Sequence, residues 1–192
     1  MTRWRRRIGP GRLETLLADE AISDITLSMR TTDYLDLPEL TVTTQEVDLA
    51  PAEDLSDGAW TRTIAVNLTG SFLMAQAVGR GMIARAKGGR IINLASQAGS
   101  VAIEGHVAYC ASKFGIVGVT KTLALEWGGH GITVNSISLT VVMTDLGRKA
   151  WEGPRGEAMK ALIPAGRFVE PHEIAAAAVF LASDAAAMIN GV

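Results

Sequence analysis

The sequence predicts an α/β fold with a parallel sheet, and three observations carry that expectation. Apolar and small residues recur at helical spacing from Trp60 to Met82, two short apolar runs occupy residues 90–95 and 132–137, and a second helical stretch of about residues 106–127 separates those runs. A strand, a long helix and a strand in that order make a βαβ crossover, which is right-handed in nearly all proteins. Sheets of this kind carry their sites beyond the carboxyl ends of the strands.

The elements follow in order. Within residues 1–49, Leu13, Leu16, Leu17 and Ala21 share one face of a short helix and residues 40–47 have strand character, but no caps or turns frame either segment. This stretch therefore reads as an atypical N-terminal segment, and residues 50–192 as the α/β domain. Trp60, Ile64, Leu68, Ser71, Ala75, Val78 and Met82 advance by three or four, so a helix covers them and is expected to stop at Gly88-Gly89, where glycine takes a left-handed conformation readily. Residues 90–95 suit a strand buried on both faces. Small residues make a loop of 96–105, Gly128-Gly129 ends the second helix, and residues 132–137 are the next strand. A polar helical segment runs to about Met159, and Pro171 opens a last helix through Ala182. The strand ends that would form a site are then Ser96 with its loop and residues 138–144.

Composition limits the classes of function. The chain has 192 residues, 48% hydrophobic and 20% charged, with a net charge of −2, which excludes intrinsic disorder and suits one domain. Its longest apolar run, residues 174–182, is far short of the roughly 20 residues of a membrane helix. A single cysteine, Cys110, makes no internal disulfide, and His106, His130 and His172 form no zinc-like spacing, so a cytoplasmic protein without a metal is expected. Arg3, Arg5, Arg6, Arg7 and Arg12 crowd the start without an acid or a following apolar stretch, which reads as a solvated basic end in preference to a nucleic-acid arm or a secretion signal. No nucleic-acid or membrane partner is expected.

Chemistry concentrates at Tyr109 and Lys113, which lie four residues apart and so project from one helix face. An ammonium beside a phenol favours the phenolate. Bringing a tyrosine from about 10 to about 7 takes roughly 4 kcal/mol, which a lysine and a cationic cofactor ring together can supply, and such a tyrosine exchanges protons at neutral pH. A helix-surface pair is the bland alternative. Ser96, thirteen residues earlier at the end of a buried strand, tells against it by adding a hydroxyl to the same sheet end.

Residues 93–99 (Asn-Leu-Ala-Ser-Gln-Ala-Gly), 109–113 (Tyr-Cys-Ala-Ser-Lys) and 66–70 (Val-Asn-Leu-Thr-Gly) resemble three motifs of the short-chain dehydrogenase/reductase family, in order and spacing. The resemblance runs from about Ala50 to Val192 and includes Gly166-Arg167, Pro171, Glu173-Ile174 and residues 180–184. It implies a partial Rossmann-type doubly wound parallel sheet, and hydride transfer between NAD or NADP and an alcohol or carbonyl compound. In that scheme Tyr109 is the general acid/base, Ser96 bonds the reacting oxygen, Lys113 lowers the tyrosine pKa and holds the nicotinamide ribose, and Asn67 holds a water linking Lys113 to solvent. The family's helices also pair into dimers and tetramers, which would here involve residues 57–87 and 106–127.

After the strand of residues 132–137 the family usually continues Pro-Gly and then a stretch whose threonine binds the nicotinamide carboxamide. Val142 and Thr144 match, whereas Leu139 and Thr140 depart, and a leucine in place of proline would loosen the loop entry. Residues 140–144 with Gly147 and Trp151 are similar to the branch of xylulose reductases and polyol dehydrogenases, implying a small polyol or ketose substrate; Met143 and Trp151 read as packing ahead of substrate contact.

The family's opening strand, glycine-rich turn and helix are not matched. Gly9-Pro10-Gly11 follows arginines, and its proline lacks a donor that a phosphate turn needs. The Asn-Asn-Ala-Gly segment is also missing, and aligning residues 49–56 just after it takes Asp48 away from the adenine-binding acid. The chain thus reads as a family member truncated at both ends, without the glycine-rich βα unit and the last strand. Two alternatives stand beside the enzyme: an inactive member that binds no dinucleotide, and an association module using the family's helices.

Overall fold

Four strands and five helices of the computed structural model lie within residues 26–30, 39–43, 47–144, 147–148 and 151–192, the residues that it describes. Strands β1 (Thr26–Arg30) and β2 (Glu39–Thr43) form an antiparallel pair with Thr26 opposite Thr43. Strand character expected over residues 40–47 is found in β2, while the helical face of Leu13 to Ala21 lies outside the described residues.

The first long helix is a rod of three pieces. Helix α1 (Asp57–Ile64) starts where the Ser56 hydroxyl accepts the Ala59 N–H at 3.2 Å, runs through a π-helical turn at Ala65–Gly70, and continues as α2 (Ser71–Arg85). The expected glycine stop is corrected: Ala86 takes the left-handed position, with φ 52°. The glycines serve a different constraint, because a Cβ on Gly88 would lie 2.5 Å from the Gly131 carbonyl oxygen, where the first residues of two strands meet.

Those strands are β3 (Gly89–Leu94) and β4 (Ile132–Ile137), joined by α3 (Val107–Trp127). They pair in parallel from Gly89 opposite Ile132 to Leu94 opposite Ile137, as the βαβ reading expects. The core lies between this sheet and the helices, where Ala75, Met82, Ile91, Leu123, Ala124, Ile132 and Val134 pack together with Trp127 at their border. Fully burying one such large aliphatic side chain stabilises by about 1.5–3 kcal/mol.

Helices α4 (Pro154–Ala161) and α5 (Pro171–Ala182) complete the order. Pro171 stands at the first turn as expected, and Glu170 and Glu173 make a reciprocal capping box around it. The terminal residues then run beside β4: Asn190 Oδ1 accepts the Val134 N–H at 2.8 Å, the Gly191 N–H donates to the Val134 carbonyl at 2.9 Å, and the Ser136 N–H donates to the Val192 carbonyl at 2.7 Å. Among the described residues no helix is long and apolar enough to cross a membrane.

Candidate active site

The site grows from the carboxyl end of the β3/β4 pair. Pairing continues past the strands, with the Ala95 N–H donating to the Ile137 carbonyl at 3.0 Å and the Gln97 N–H to the Leu139 carbonyl at 2.7 Å. Ser96 is held between these two bonds in extended backbone, and its hydroxyl accepts the Ala98 N–H at 3.1 Å to cap a short turn at Gln97–Gly99. The same bond to Leu139 anchors the loop entry.

Tyr109 and Lys113 face Ser96 from the first two turns of α3. Tyr109 is hydrogen-bonded to Ser96, and the Lys113 ammonium lies 5.6 Å from the centre of the phenol ring. Lys113 Nζ donates to the Leu94 carbonyl at 3.1 Å. Only 9% of Tyr109, 7% of Ser96 and 2% of Lys113 is exposed.

Burial sets the charges here. It pushes the Tyr109 phenol above its ordinary value, against the Ser96 hydrogen bond, and the Cys110 thiol adds to the rise. Burial also lowers the Lys113 ammonium from 10.5 to about 8. Both charged forms lose hydration, and the net direction for Tyr109 is upward.

Asn67 sits on the π-helical turn, 1% exposed. Its Nδ2 donates to Ser112 Oγ at 3.3 Å, and Ser112 Oγ donates to the Tyr109 carbonyl at 2.7 Å, so Asn67 reaches the Tyr109 backbone of α3 through Ser112. Ser71 Oγ also donates to the Asn67 carbonyl at 2.8 Å. Sequence reading missed both serines, although each stands three or four residues from the carbonyl it binds, a spacing that serine hydroxyls use within helices. His106 was missed as well. It ends the loop ahead of α3 with its ring edge-on to Tyr109 at 6.3 Å, and its Nδ1 lies 2.6 Å from the Glu104 carbonyl.

Val142 and Thr144 stand on the loop after β4, at the same sheet end as Ser96. Val142 bridges to Val169 and the Met143 N–H donates to the Val169 carbonyl at 2.8 Å, so residues 141–143 are pinned from a second segment. Thr144 Oγ1 accepts the Gly147 N–H at 3.1 Å. Trp151 packs on Phe168 at 5.9 Å between ring centres, in keeping with its packing role. Asp48 pairs with Arg62 of α1 at 2.9 Å. The structure thus sets Tyr109 beside both Ser96 and Lys113, ties Asn67 to the Tyr109 carbonyl by one serine, and sets Val142 and Thr144 on the neighbouring loop.

Comparison with known proteins identifies relatives over most of the chain. A family model described as enoyl-(acyl carrier protein) reductase matches residues 41–192. The D-threitol dehydrogenase of Mycolicibacterium smegmatis is 68% identical over 143 residues, covering 74% of this chain and 55% of that protein. The NAD-dependent glycerol dehydrogenase of Listeria innocua is 58% identical over 143 residues, with 74% and 56% covered. A crystal structure of gluconate 5-dehydrogenase from Burkholderia cenocepacia, in complex with NADP and tartrate, superposes with a TM-score of 0.73 at 33% identity, covering 77% of this chain and 58% of that one. The chain spans little more than half the length of each of these relatives.

Proposed function

The chain belongs to the short-chain dehydrogenase/reductase family, and from that premise we propose that it interconverts a small polyol and its ketone or ketose by hydride transfer, with NAD or NADP as the hydride carrier. The observation that carries this reading is the buried grouping of Ser96 and Lys113 around Tyr109 at the carboxyl ends of two parallel strands. In the oxidative direction Tyr109 takes the hydroxyl proton of the substrate while Ser96 hydrogen-bonds the same oxygen; in the reductive direction Tyr109 returns it. A phenol that burial keeps protonated suits the reductive role in particular.

The residues present fit the nicotinamide end of a dinucleotide. Lys113 spends one N–H on Leu94, and an ammonium carries three, so donors remain for ribose hydroxyls. Val142 and Thr144, on the pinned loop, are the residues that would hold the carboxamide, and Asn67 would support Lys113 through a water. When bound, the nucleotide supplies or accepts the hydride and its oxidised ring adds positive charge. The threitol and glycerol dehydrogenases support the polyol, and the NAD of one relative and the NADP of the superposed structure support a dinucleotide.

Titration of NADH and NADPH, followed by cofactor fluorescence, tests the reading. Binding of at least one is expected, and no binding of either at millimolar concentration would overturn it. Tyr109→Phe is expected to abolish turnover while leaving affinity intact. Equal rates on threitol, xylitol, sorbitol and simple secondary alcohols would remove the polyol preference.

A second reading is an inactive family member that binds no dinucleotide. The same titration separates the two. We place the family domain at residues 50–192, in the cytoplasm, with the Ala50 N–H donating to the Gly105 carbonyl at 3.1 Å at its start. Exposed Trp60 on α1 and Phe114 and Leu125 on α3 support a homo-dimer or homo-tetramer through these helices, which sedimentation velocity would detect.

A further inference from the structure

The parallel pair has two outer edges, and the chain treats them differently. On β4, Asn190 Oδ1 takes the Val134 N–H, while the backbone of Gly191 and Val192 takes the Val134 carbonyl and the Ser136 N–H, so that edge is covered. On β3 the ladder fixes which groups face outward. The Gly89 N–H donates to the Gly131 carbonyl at 3.2 Å and the Ala95 N–H to the Ile137 carbonyl at 3.0 Å, and backbone groups of successive residues in a strand point to opposite edges. Gly89, Ile91 and Asn93 therefore bond towards β4. Arg90, Ile92 and Leu94 present their N–H groups to the other side, where no strand pairs with β3 among the described residues. A groove of about 450 Å³ lies along β3, walled by Met74, Ala75 and Val78 of α2.

An unpaired strand edge is a template for an extended segment. One such segment already lies beside it. Cα atoms of β2 come within 8 Å of those of β3, and the hairpin makes this approach chiefly through β2. Yet β1 and β2 form one two-stranded sheet and β3 and β4 another, with no ladder between them.

We propose that β2 is a strap for the β3 edge, closing onto Arg90, Ile92 and Leu94 to join the two pairs into one four-stranded sheet in the order β1-β2-β3-β4. The occupant is the chain's own strand in preference to that of a second copy. Residues 44–88 tether β2 to β3, and a tethered strand meets its partner at an effective concentration in the millimolar range, above that of a second molecule in dilute solution. Closing also reaches the candidate site. Leu94, at the end of this edge, accepts the bond from Lys113 Nζ at 3.1 Å, so a strand that fixes Leu94 fixes the acceptor that holds Lys113.

Residue-resolved amide exchange on the isotope-labelled, full-length chain tests the strap without nucleotide or substrate. The amides of Gly89, Ile91 and Asn93, which bond towards β4, are the internal reference. With the strap closed, the amides of Arg90, Ile92 and Leu94 are expected to exchange within about ten-fold of that reference, and faster exchange overturns the proposal. Protection of these three that grows with protein concentration assigns the edge to a second copy and overturns the strap equally. Thr41 and Val42 are neighbours in β2, so their N–H groups point to opposite edges, and Thr41→Pro and Val42→Pro remove a donor from each edge in turn. At least one variant is expected to speed exchange at Arg90, Ile92 and Leu94 about ten-fold while the reference amides hold. No change in either variant removes β2 from the edge, and the wild-type measurement stands even if a variant fails to fold.

Discussion

A buried ammonium with no carboxylate partner among the described residues carries a stability cost that varies with pH, and Lys113→Met measures it. The folded chain lowers the Lys113 pKa from 10.5 to about 8. Between these values the unfolded chain binds the proton more fully than the folded one, so stability rises with pH across that window. Below about pH 8 the cost is fully present, and two and a half units correspond to about 3 kcal/mol. Methionine keeps the length of the side chain and removes the charge, but it forfeits the bond to the Leu94 carbonyl, worth roughly 1.5 kcal/mol for a charged donor. Lys113→Met is therefore expected to be about 1–2 kcal/mol more stable than wild type at pH 7. Urea unfolding of both proteins at pH 7 and pH 10 is the assay. Their difference should shift by about 2.5 kcal/mol in favour of wild type at the higher pH, with all other alkaline effects common to both. A difference independent of pH would show that the ammonium is not desolvated.

Other consequences follow from particular contacts. A methyl on Gly79 would lie 2.5 Å from the Trp127 ring, so Gly79→Ala should destabilise by about 1–2 kcal/mol despite alanine's better helix propensity, measured by thermal unfolding. Asn190 joins the Val134 N–H to the Ala124 carbonyl, at 2.8 and 3.0 Å, and Asn190→Ala should cost about 1–2 kcal/mol and speed amide exchange at Val134. The Glu173 carboxyl is lowered to about 2 by Arg167, which donates two bonds to it, and by the Glu170 N–H. Its contribution is present above about pH 4.5 and lost as pH falls towards 2, so Glu173→Gln should be less stable than wild type at neutral pH and converge with it at acid pH in circular dichroism melts.

The order of the long helices and of the parallel strands was legible in the sequence because it rests on local signals. Helical spacing from Trp60 to Met82 and apolar runs at residues 90–95 and 132–137 each depend on neighbours within a few positions. Tyr109 and Lys113 share a face because the helix alone aligns residues four apart. Ala86 as the helix stop was not legible, since the glycines two and three residues on were claimed by the approach of Gly88 to Gly131, a contact between chain segments distant in sequence.

Tertiary structure decided the rest. The bond of Asn67 to Ser112 spans 45 residues and that of Lys113 to Leu94 spans 19, and no periodicity announces either. The direction of the Tyr109 shift likewise depends on how much water the surrounding packing removes, and that burial outweighs the lowering by Ser96. The sequence by itself determined which chemical groups share the sheet end; only the folded chain decided how dry they are, and hence which of them hold their protons.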